Sequence, residues 1–252
     1  MKRQIKICHL YPEILNLYGD RGNVIALYRR CLWHGLAVHI QPVTVGEAVD
    51  FLDTDLVFIG GGQDREQAAI YRDLVEVKGP YLLAAAEQGM AILAVCGGFQ
   101  LLGKYYRTQH GEIMKGVGLF DAWTEAGRGR LIGDVVLETD LWEEEPRTIV
   151  GFENHSGRTF LGEGVKQPLG RVLQGFGNDG ASKMEGAVSG NAIGTYLHGS
   201  LLPKNPRLAD YLIRCGLERR YGPEGSYLTT LNDELEYRAH QAAAQRAVAR
   251  RC

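Results

Sequence analysis

The sequence predicts an α/β fold with a mostly parallel central sheet, helices on both faces and antiparallel extensions. Short apolar runs alternate with helical patterns through the first half of the 252-residue chain, which is the arrangement of a parallel sheet covered on both sides. One such run, residues 91–95, leads through a Cys-Gly-Gly turn into the start of a helix. From residue 115 to residue 196, short β-like runs separated by glycines predict antiparallel hairpins at one side of the sheet.

The first half of the chain contains the strands of the parallel sheet. Four runs rich in apolar or β-forming residues predict them: Gln4–Leu10, Ala37–Val43, residues 56–60 and Ala91–Val95. Residues 11–23 hold too much Pro, Gly, Asp and Asn for one regular element, and they predict a loop around a short helical turn. Apolar residues at helical spacing predict a helix over 24–34 and a longer one over 66–89, broken around Gly79-Pro80.

The second half of the chain predicts shorter elements. Its β-like runs cover residues 116–119, 131–137, 148–151, 171–173, 186–188 and 192–196. A helix is predicted over 207–217, and Thr230-x-x-Asp233 predicts the cap of a final helix that runs toward Arg251. Because neither a repeat nor a linker divides the chain, we expect one domain over residues 1–252, with a C-terminal helical segment at about 230–252.

Composition and charge narrow the class of protein. The formal net charge of −2 provides no general attraction to nucleic acids or acidic membranes, and we expect no nucleic acid as a partner. The five cysteines are widely spaced and lack a Cys-x-x-Cys pair, which argues against a disulfide framework or a metal site and favours a reducing cytoplasm. The apolar runs are too short to span a bilayer, and the basic start lacks the apolar core of a signal peptide.

Cys96 is the strongest candidate for a catalytic residue. It directly follows the apolar run 91–95 and precedes Gly97 and Gly98, which allow a tight turn into a helix. A nucleophile on such a turn projects above the sheet edge, and the N-terminus of the helix favours a thiolate and can hold an oxyanion. The alternative is an inert buried cysteine, the more common role of this residue type.

Glycines and histidines elsewhere are candidate partners for the thiol. The Gly60-Gly61-Gly62 run ends a predicted parallel strand, where glycines let backbone N–H groups approach a ligand, although such a loop can also simply turn the chain. Its spacing is not that of a phosphate-binding loop. Among seven histidines, His198 ends a strand-like run before Gly199, and His155 lies in a polar loop flanked by glycines. Taken alone, each is more often an ordinary surface or core histidine.

Four motifs, in this order, resemble those of one known family. GGGQD at 60–64, AVCGGFQLLG at 94–103, GFENHSGRT at 151–159 and GTYLHGS at 194–200 are similar to motifs of class I glutamine amidotransferases of the cobyric-acid-synthase-like branch. Within that branch, HLYPEILNLYGDRGN at 9–23 and GGGQDREQ at 60–67 most resemble the glutaminase subunits of lipid II isoglutaminyl synthases. The resemblance covers the chain from its start to about residue 200, and it implies the flavodoxin-like fold of these glutaminases.

The resemblance implies a nucleophile and a base, Cys96 and His198. Glutaminases of this class usually carry a glutamate two residues after the histidine, where this chain has Ser200. The cobyric-acid-like branch generally lacks that glutamate. The orienting carboxylate would then come from elsewhere in the chain or from a partner subunit, and we expect weak glutaminase activity from the isolated chain.

The resemblance also implies residues that bind glutamine. Arg130 would hold the α-carboxylate, for which a guanidinium fork is suited, with its neighbour Arg128 as the alternative. Further expected contacts are the backbone N–H groups of Gly61 or Gly62 together with Gly97 for the oxyanion, and Asn154 and His155 in the pocket wall.

The implied reaction is hydrolysis of L-glutamine to glutamate and ammonia. The ammonia would pass to an ATP-dependent, Mur-ligase-like (MurT-type) subunit that amidates the D-glutamate α-carboxyl of lipid II to D-isoglutamine. We expect no cofactor or metal in this chain, and ATP and Mg²⁺ in the partner. Two alternatives stay open. One is a glutaminase that serves another acceptor, such as a corrinoid carboxylate, and the other is a non-enzymatic binding module whose cysteine is inert or redox-sensing.

Overall fold

The computed structural model of the protein describes residues 2–249, so the end of the predicted C-terminal segment, including Arg251, lies outside the described residues. The strands are β1 (Gln4–Leu10), β2 (Ala37–Val43), β3 (Leu56–Ile59), β4 (Ala91–Val95), β5 (Tyr105–Arg107), β6 (Ile113–Lys115), β7 (Ala122–Glu138), β8 (Thr148–Leu161), β9 (Gly170–Gln174), β10 (Met184–Glu185), β11 (Ala187–Ser189) and β12 (Ala192–Thr195). The α-helices are α1 (Arg21–Trp33), α2 (Asp64–Tyr71), α3 (Gly79–Glu87), α4 (Gly97–Leu102), α5 (Pro206–Tyr221) and α6 (Glu234–Ala249).

A six-stranded sheet forms the centre of the fold. Its order is β11-β12-β4-β3-β1-β2, in which β11 is antiparallel to β12 and the other neighbours are parallel. β3, β4 and β12 are buried along their whole length, as expected for apolar strands covered on both faces. The predicted fold class is confirmed, and β1, β2 and β4 have the predicted bounds. The carboxyl ends of the parallel strands meet at one edge, where sheets of this kind bind ligands.

Most of the antiparallel strands form a second sheet rather than an extension of the first. Its order is β10-β9-β7-β5-β6, with β8 paired to β7. β7 and β8 are long strands of 17 and 14 residues, which absorb several of the short predicted runs. The ladder between them is interrupted, because Ala126 pairs with Gly157 whereas Leu131 pairs with His155. Residues 127–130 therefore bulge out of β7 opposite Ser156.

The strand predicted at residues 116–119 is wrong. The backbone N–H groups of Val117 and Phe120 donate to the carbonyls of Leu101 and Leu102 at the end of α4. Because these hydrogen bonds satisfy the helix terminus, the segment closes α4 instead of joining a ladder. The strand lies just before it, at β6.

The long helix predicted over 66–89 is present but is not broken at Gly79-Pro80. Residues Arg72–Lys78 form a π-helical segment that links α2 to α3. Pro80 lies in the first turn of α3, directly after the π-helical segment. The predicted break is therefore a change of helical pitch.

The Arg30 side chain links α1 to α5 and to the segment that directly precedes α6. This side chain, 3% exposed in α1, pairs with Asp210 of α5 and with Asp233 just before α6. The final helix starts at Glu234, so Asp233 precedes the helix, and its carboxylate binds Arg30. No helix within residues 2–249 combines the length and the apolar content that crossing a membrane requires.

Candidate active site

Cys96 lies between β4 and α4, at the carboxyl edge of the central sheet. Its backbone has a φ of 49° and a ψ of −106°, a conformation that costs a residue with a side chain about 1–3 kcal/mol. Neighbouring hydrogen bonds hold it, because the Cys96 N–H donates to the Thr195 carbonyl at 2.8 Å and the Cys96 carbonyl accepts from the Gln100 N–H at 2.9 Å. The thiol stands on the sharp strand-to-helix turn that the sequence predicts.

Peptide backbone from two segments packs closely on one side of Cys96. A Cβ atom on Gly97 would lie 2.6 Å from the carbonyl oxygen of Gly62 and 2.9 Å from its nitrogen, and one on Gly98 would lie 2.9 Å from the carbonyl oxygen of Gly60. The loop after β3 and the first turn of α4 are therefore in direct backbone contact. This contact makes Gly62 and Gly97 neighbours, as the prediction that both bind the oxyanion requires.

His198 follows β12 and is fully buried. Its backbone N–H donates to the Phe152 carbonyl at 2.7 Å, which ties the end of the central sheet to β8. Its Nδ1 atom lies 3.2 Å from Oδ1 of Asp20. Its Nε2 atom makes no hydrogen bond within residues 2–249, which leaves this nitrogen available to exchange a proton.

The environment of His198 favours the charged imidazolium. Burial opposes the charge, but the nearby Cys96 sulfur and the Asp20 carboxylate outweigh it and raise the pKa of His198 to about 10. The ring of Tyr18 packs edge-on against the imidazole, with 5.0 Å between the ring centroids. His198 is therefore suited to carry a proton beside the sulfur.

Gly61 lies at the point where Cys96, His198 and Asp20 meet. A Cβ atom on Gly61 would be 2.6 Å from Cε1 of His198, 3.2 Å from Oδ2 of Asp20 and 3.3 Å from Cβ of Cys96. The Gly61 N–H donates to Oδ2 of Asp20 at 2.8 Å. Because this N–H is already engaged, Gly62 rather than Gly61 remains the candidate for the first oxyanion donor.

Sequence reasoning missed Asp20, although it left the source of the carboxylate open. Asp20 directly precedes α1 but makes no side-chain capping hydrogen bond to it, even though Asp is a preferred capping residue. Instead its carboxylate, fully buried, contacts Gly61 and His198. Its position in a glycine-flanked loop after β1, at the same sheet edge as Cys96, was the available signal.

A cavity of about 210 Å³ opens beside Cys96. It is smaller than the roughly 300–1,000 Å³ pockets that hold drug-sized ligands, and it suits a molecule of amino-acid size. Its walls come from the loop after β1, from the loop after β3 and α2, from the start of α4, and from β5, β7 and β8. They comprise Leu17, Gly62, Gln63, Asp64, Arg65, Gln67, Cys96, Gln100, Tyr106, Arg130, Asn154, His155 and Ser156.

Arg130 reaches the cavity from the bulge in β7. Its Nε donates to Oδ1 of Asn154 at 2.6 Å, and its Nη2 donates to the Asn154 carbonyl at 2.8 Å. The Asn154 amide donates in turn to the Tyr18 hydroxyl at 2.7 Å, so the guanidinium is held in place. Arg128 is exposed and is not part of the cavity lining. The bulge thus brings Arg130, rather than Arg128, to the Cys96 cavity.

His155 is a buried part of the cavity wall. Its Nδ1 donates to the Gly157 carbonyl at 2.8 Å, and its Nε2 lies 3.6 Å from the Glu153 carboxylate. The ring stacks on Tyr196 with 3.6 Å between centroids. Nδ1 is therefore engaged, whereas Nε2 makes no hydrogen bond within residues 2–249.

Two buried glutamines that sequence reasoning did not single out form the floor of the cavity. Gln67 donates to Oε1 of Gln100 at 2.9 Å, and Gln100 donates to the Tyr196 hydroxyl at 3.0 Å. The Tyr196 hydroxyl also lies 2.6 Å from the Thr159 hydroxyl. This chain of side chains connects α2, α4, β8 and the end of β12, and it makes the floor rigid.

Cys96 differs from the other described cysteines. Burial raises the pKa of Cys8 and of Cys31 to about 12 and that of Cys215 to about 11. None of these three thiols lines the cavity, and such thiols are unreactive at neutral pH. A thiol reagent that enters the cavity meets Cys96.

Comparison with known proteins assigns this site to a family. Residues 6–206 match the CobB/CobQ-like glutamine amidotransferase domain. The chain belongs to this family. The predicted resemblance to class I glutamine amidotransferases is confirmed.

Relatives of this amidotransferase include both separate subunits and longer enzymes. It is 42% identical over 244 residues to the GatD subunit of the glutamine-hydrolysing lipid II isoglutaminyl synthase of Staphylococcus aureus (strain N315), covering 97% of this chain and 96% of that protein. The corresponding subunit of Streptococcus pneumoniae (strain ATCC BAA-255 / R6) is 38% identical, covering 88% of this chain and 84% of that protein. A probable cobyric acid synthase of Methanothermobacter thermautotrophicus is 34% identical, covering 64% of this chain but 33% of that protein.

A solved structure shows the same fold. The glutaminase domain of Trypanosoma brucei CTPS with bound acivicin superposes on the amidotransferase with a TM-score of 0.50 at 11% sequence identity, covering 89% of this chain and 96% of that one. In the present amidotransferase, the fold places three groups at one sheet edge: a thiol on a strained backbone turn, an imidazole and a carboxylate. A thiol beside a base that a third group orients is the arrangement of a nucleophilic catalyst.

Proposed function

We propose that this amidotransferase is the glutaminase subunit of a lipid II isoglutaminyl synthase. The observation that carries the proposal is the meeting of Cys96, His198 and Asp20 around Gly61, at a cavity into which Arg130 projects. Near full-length similarity to two GatD subunits supports the choice of enzyme. The substrate of this chain is then L-glutamine, and no cofactor in this chain is needed for the reaction.

The first half of the reaction forms a thioester. The Cys96 thiolate attacks the side-chain amide carbon of glutamine, and the Gly62 and Gly97 N–H groups bind the oxyanion of the tetrahedral intermediate. Its collapse breaks the C–N bond, and the His198 imidazolium donates the proton that lets ammonia leave. Asp20 orients His198 and stabilises its charge. Arg130 binds the α-carboxylate of glutamine, which keeps the amide carbon beside the sulfur.

The second half of the reaction releases glutamate. His198, now neutral, takes a proton from a water molecule that attacks the γ-glutamyl thioester carbonyl. The C–S bond breaks, glutamate leaves and the thiolate–imidazolium pair is restored. Because Asp20 within this chain supplies the carboxylate, we expect the isolated chain to hydrolyse glutamine measurably, contrary to the weak activity that the missing glutamate suggests.

The ammonia has to reach a second site before water protonates it. We therefore assign the chain an ATP-dependent, Mur-ligase-like (MurT-type) partner, which uses the ammonia to amidate the D-glutamate α-carboxyl of lipid II to D-isoglutamine. A corrinoid carboxylate is the second candidate acceptor, favoured by the similarity to a probable cobyric acid synthase. The chain covers 33% of that protein but 96% of the Staphylococcus aureus subunit, so we prefer lipid II.

An affinity label tests the glutaminase half of the proposal. 6-Diazo-5-oxo-norleucine, a reactive glutamine analogue, should form one adduct, mapped by peptide mass spectrometry to Cys96. Cys96→Ala should abolish both labelling and ammonia release, while the control Cys215→Ala should retain both. Ammonia release from Cys96→Ala at the wild-type rate would refute the mechanism.

Reconstitution tests the acceptor. The chain, mixed with the ATP-dependent ligase subunit of the same organism and with lipid II, should form isoglutamine-containing lipid II from glutamine. With Cys96→Ala the product should form from ammonium chloride but not from glutamine. Amidation of a corrinoid acid but not of lipid II would favour the second acceptor.

A further inference from the structure

Two hydrogen bonds hold the Asp20 loop against the turn that carries His198. The Ser200 hydroxyl donates to the Gly19 carbonyl at 2.9 Å, one residue before Asp20. The Leu202 N–H donates to Oδ1 of the buried Asn23 at 2.9 Å. The two accepting residues flank Asp20, since Gly19 lies one residue before it and Asn23 three residues after it.

Asp20 needs such a connection because it is far from His198 in sequence. The two residues are 178 positions apart, so no short covalent path sets the distance from the carboxylate to Nδ1. When the orienting carboxylate is two residues after the histidine, the backbone sets this distance. In this chain only contacts between segments can do so, and Ser200 occupies that same position.

We propose that Ser200 is a positioning residue for glutamine hydrolysis, because its hydroxyl holds the Asp20 loop so that the carboxylate stays on His198. The inference rests on the proposed function, and it adds a residue that does not touch glutamine. Ser200 acts through Gly19 and Asp20, and His198 transmits the effect to Cys96.

The local geometry shows that this contact is built at a cost. Ser200 adopts a φ of 50°, a conformation that residues other than glycine rarely adopt, whereas Gly19 takes its φ of 80° without steric cost. A Cβ atom on Gly22 would lie 2.1 Å from Oγ of Ser200, so the first turn of α1 accepts the hydroxyl only because residue 22 is glycine. Strain that the surroundings impose is concentrated at functional sites.

Ser200→Gly separates positioning from folding. Glycine suits the φ of 50° at this position, so the thermal midpoint should stay within a few degrees of wild type. The hydroxyl is lost and the Asp20 carboxylate is no longer held on His198, so kcat for glutamine should fall about tenfold, as expected for a displacement of a fraction of an ångström in the catalytic group, while KM changes by less than about twofold. Ser200→Ala should show the same loss of kcat, and the control Ser182→Ala, at an exposed hydroxyl, should show none.

The pH profile reports the state of His198. The groups that face its ring are Asp20, Cys96 and Tyr18; Asp20 and Tyr18 both flank Gly19, which Ser200 holds, and of these two Asp20 is the one that raises the pKa of His198. A displaced carboxylate lowers the pKa of His198, so the alkaline limb of kcat/KM should move to lower pH in Ser200→Gly. A fall in kcat without this movement would mean that Ser200 does not act through Asp20, and the proposal would be wrong.

Alkylation of Cys96 tests the inference without relying on glutamine hydrolysis. Asp20 stabilises the imidazolium and thereby the thiolate–imidazolium pair, so iodoacetamide should alkylate Cys96 several-fold more slowly at pH 7 in Ser200→Gly than in wild type. Equal alkylation rates would overturn the role of Ser200 even if glutamine is hydrolysed. Slower alkylation in a chain that does not hydrolyse glutamine would support the role of Ser200 while refuting the proposed function.

Discussion

Replacing Gly61 with alanine should disable the site without removing any functional group from it. The new methyl group would lie 2.6 Å from Cε1 of His198, whereas an ordinary contact begins at 3.4 Å, so the imidazole or the loop must move by about 0.8 Å. A displacement of about 1 Å in a catalytic group can cost about 10²-fold in rate. We therefore expect kcat/KM for glutamine to fall by about 30-fold to 100-fold.

The assay for Gly61→Ala is ammonia release from glutamine, measured with the fraction of folded protein known. Overpacking costs about 1–3 kcal/mol of stability, so circular dichroism should show a folded protein with a lower thermal midpoint. Gly133→Ala is the matched control, since a Cβ there would have its nearest contact at 3.8 Å, and it should retain full activity. If folded Gly61→Ala keeps more than about a third of the wild-type kcat/KM, the catalytic role of the contact between Gly61 and His198 is wrong.

Three other variants test separate parts of the structure. Arg130→Ala should raise KM for glutamine about tenfold or more with a smaller effect on kcat, because it removes ground-state binding of the carboxylate. Arg128→Ala should leave initial rates unchanged. The reverse result would assign the carboxylate site to Arg128. Asp20→Asn removes the charge that helps raise the pKa of His198, so the alkaline limb of the pH profile of kcat/KM should move down from near pH 10. An unmoved limb would count against the pairing of Asp20 with His198. Arg30→Ala leaves two carboxylates without their buried partner and should lower the free energy of unfolding by about 3 kcal/mol, measured by urea denaturation, with normal kcat in the folded fraction.

Local sequence was sufficient to predict the strands of the central sheet and the two residues that follow β4 and β12. Apolar runs such as Ala91–Val95 are buried along their whole length, so their pattern does not depend on distant partners. Cys96 and His198 each follow such a strand directly, and both strands end at the same sheet edge. Their proximity was not predicted, because the run at 192–196 was expected in an antiparallel hairpin whereas β12 pairs parallel to β4.

Asp20 could not be predicted in the same way. An aspartate before a helix is typical of a capping residue; its glycine-flanked loop after β1 indicates the sheet edge, but not that the carboxylate turns toward a histidine 178 positions away. The choice between Gly61 and Gly62 depends on the same carboxylate, because its other oxygen accepts from the Gly61 N–H. Two long-range contacts of one buried side chain thus bear on two questions that local patterns left open.

The second sheet shows a different limit. Short glycine-separated runs predicted hairpins, but they could not show that β7 continues for 17 residues. The register shift between Ala126 and Leu131 arises from pairing with β8, and this shift brings Arg130 rather than Arg128 to the cavity. The choice between the two arginines is therefore set by tertiary pairing.

The contact between Gly62 and Gly97 has a consequence for how such an enzyme can diverge. On that side the pocket boundary is peptide backbone, packed so closely that a Cβ on Gly97 would lie 2.6 Å from a carbonyl oxygen. A boundary made of backbone has almost no side chains whose replacement could change its shape, so this side of the pocket keeps the geometry for amide cleavage. The side chains that contact the cleaved molecule come instead from other walls of the cavity, among them the segment 127–130 that leaves the β7 ladder and brings Arg130 to the cavity.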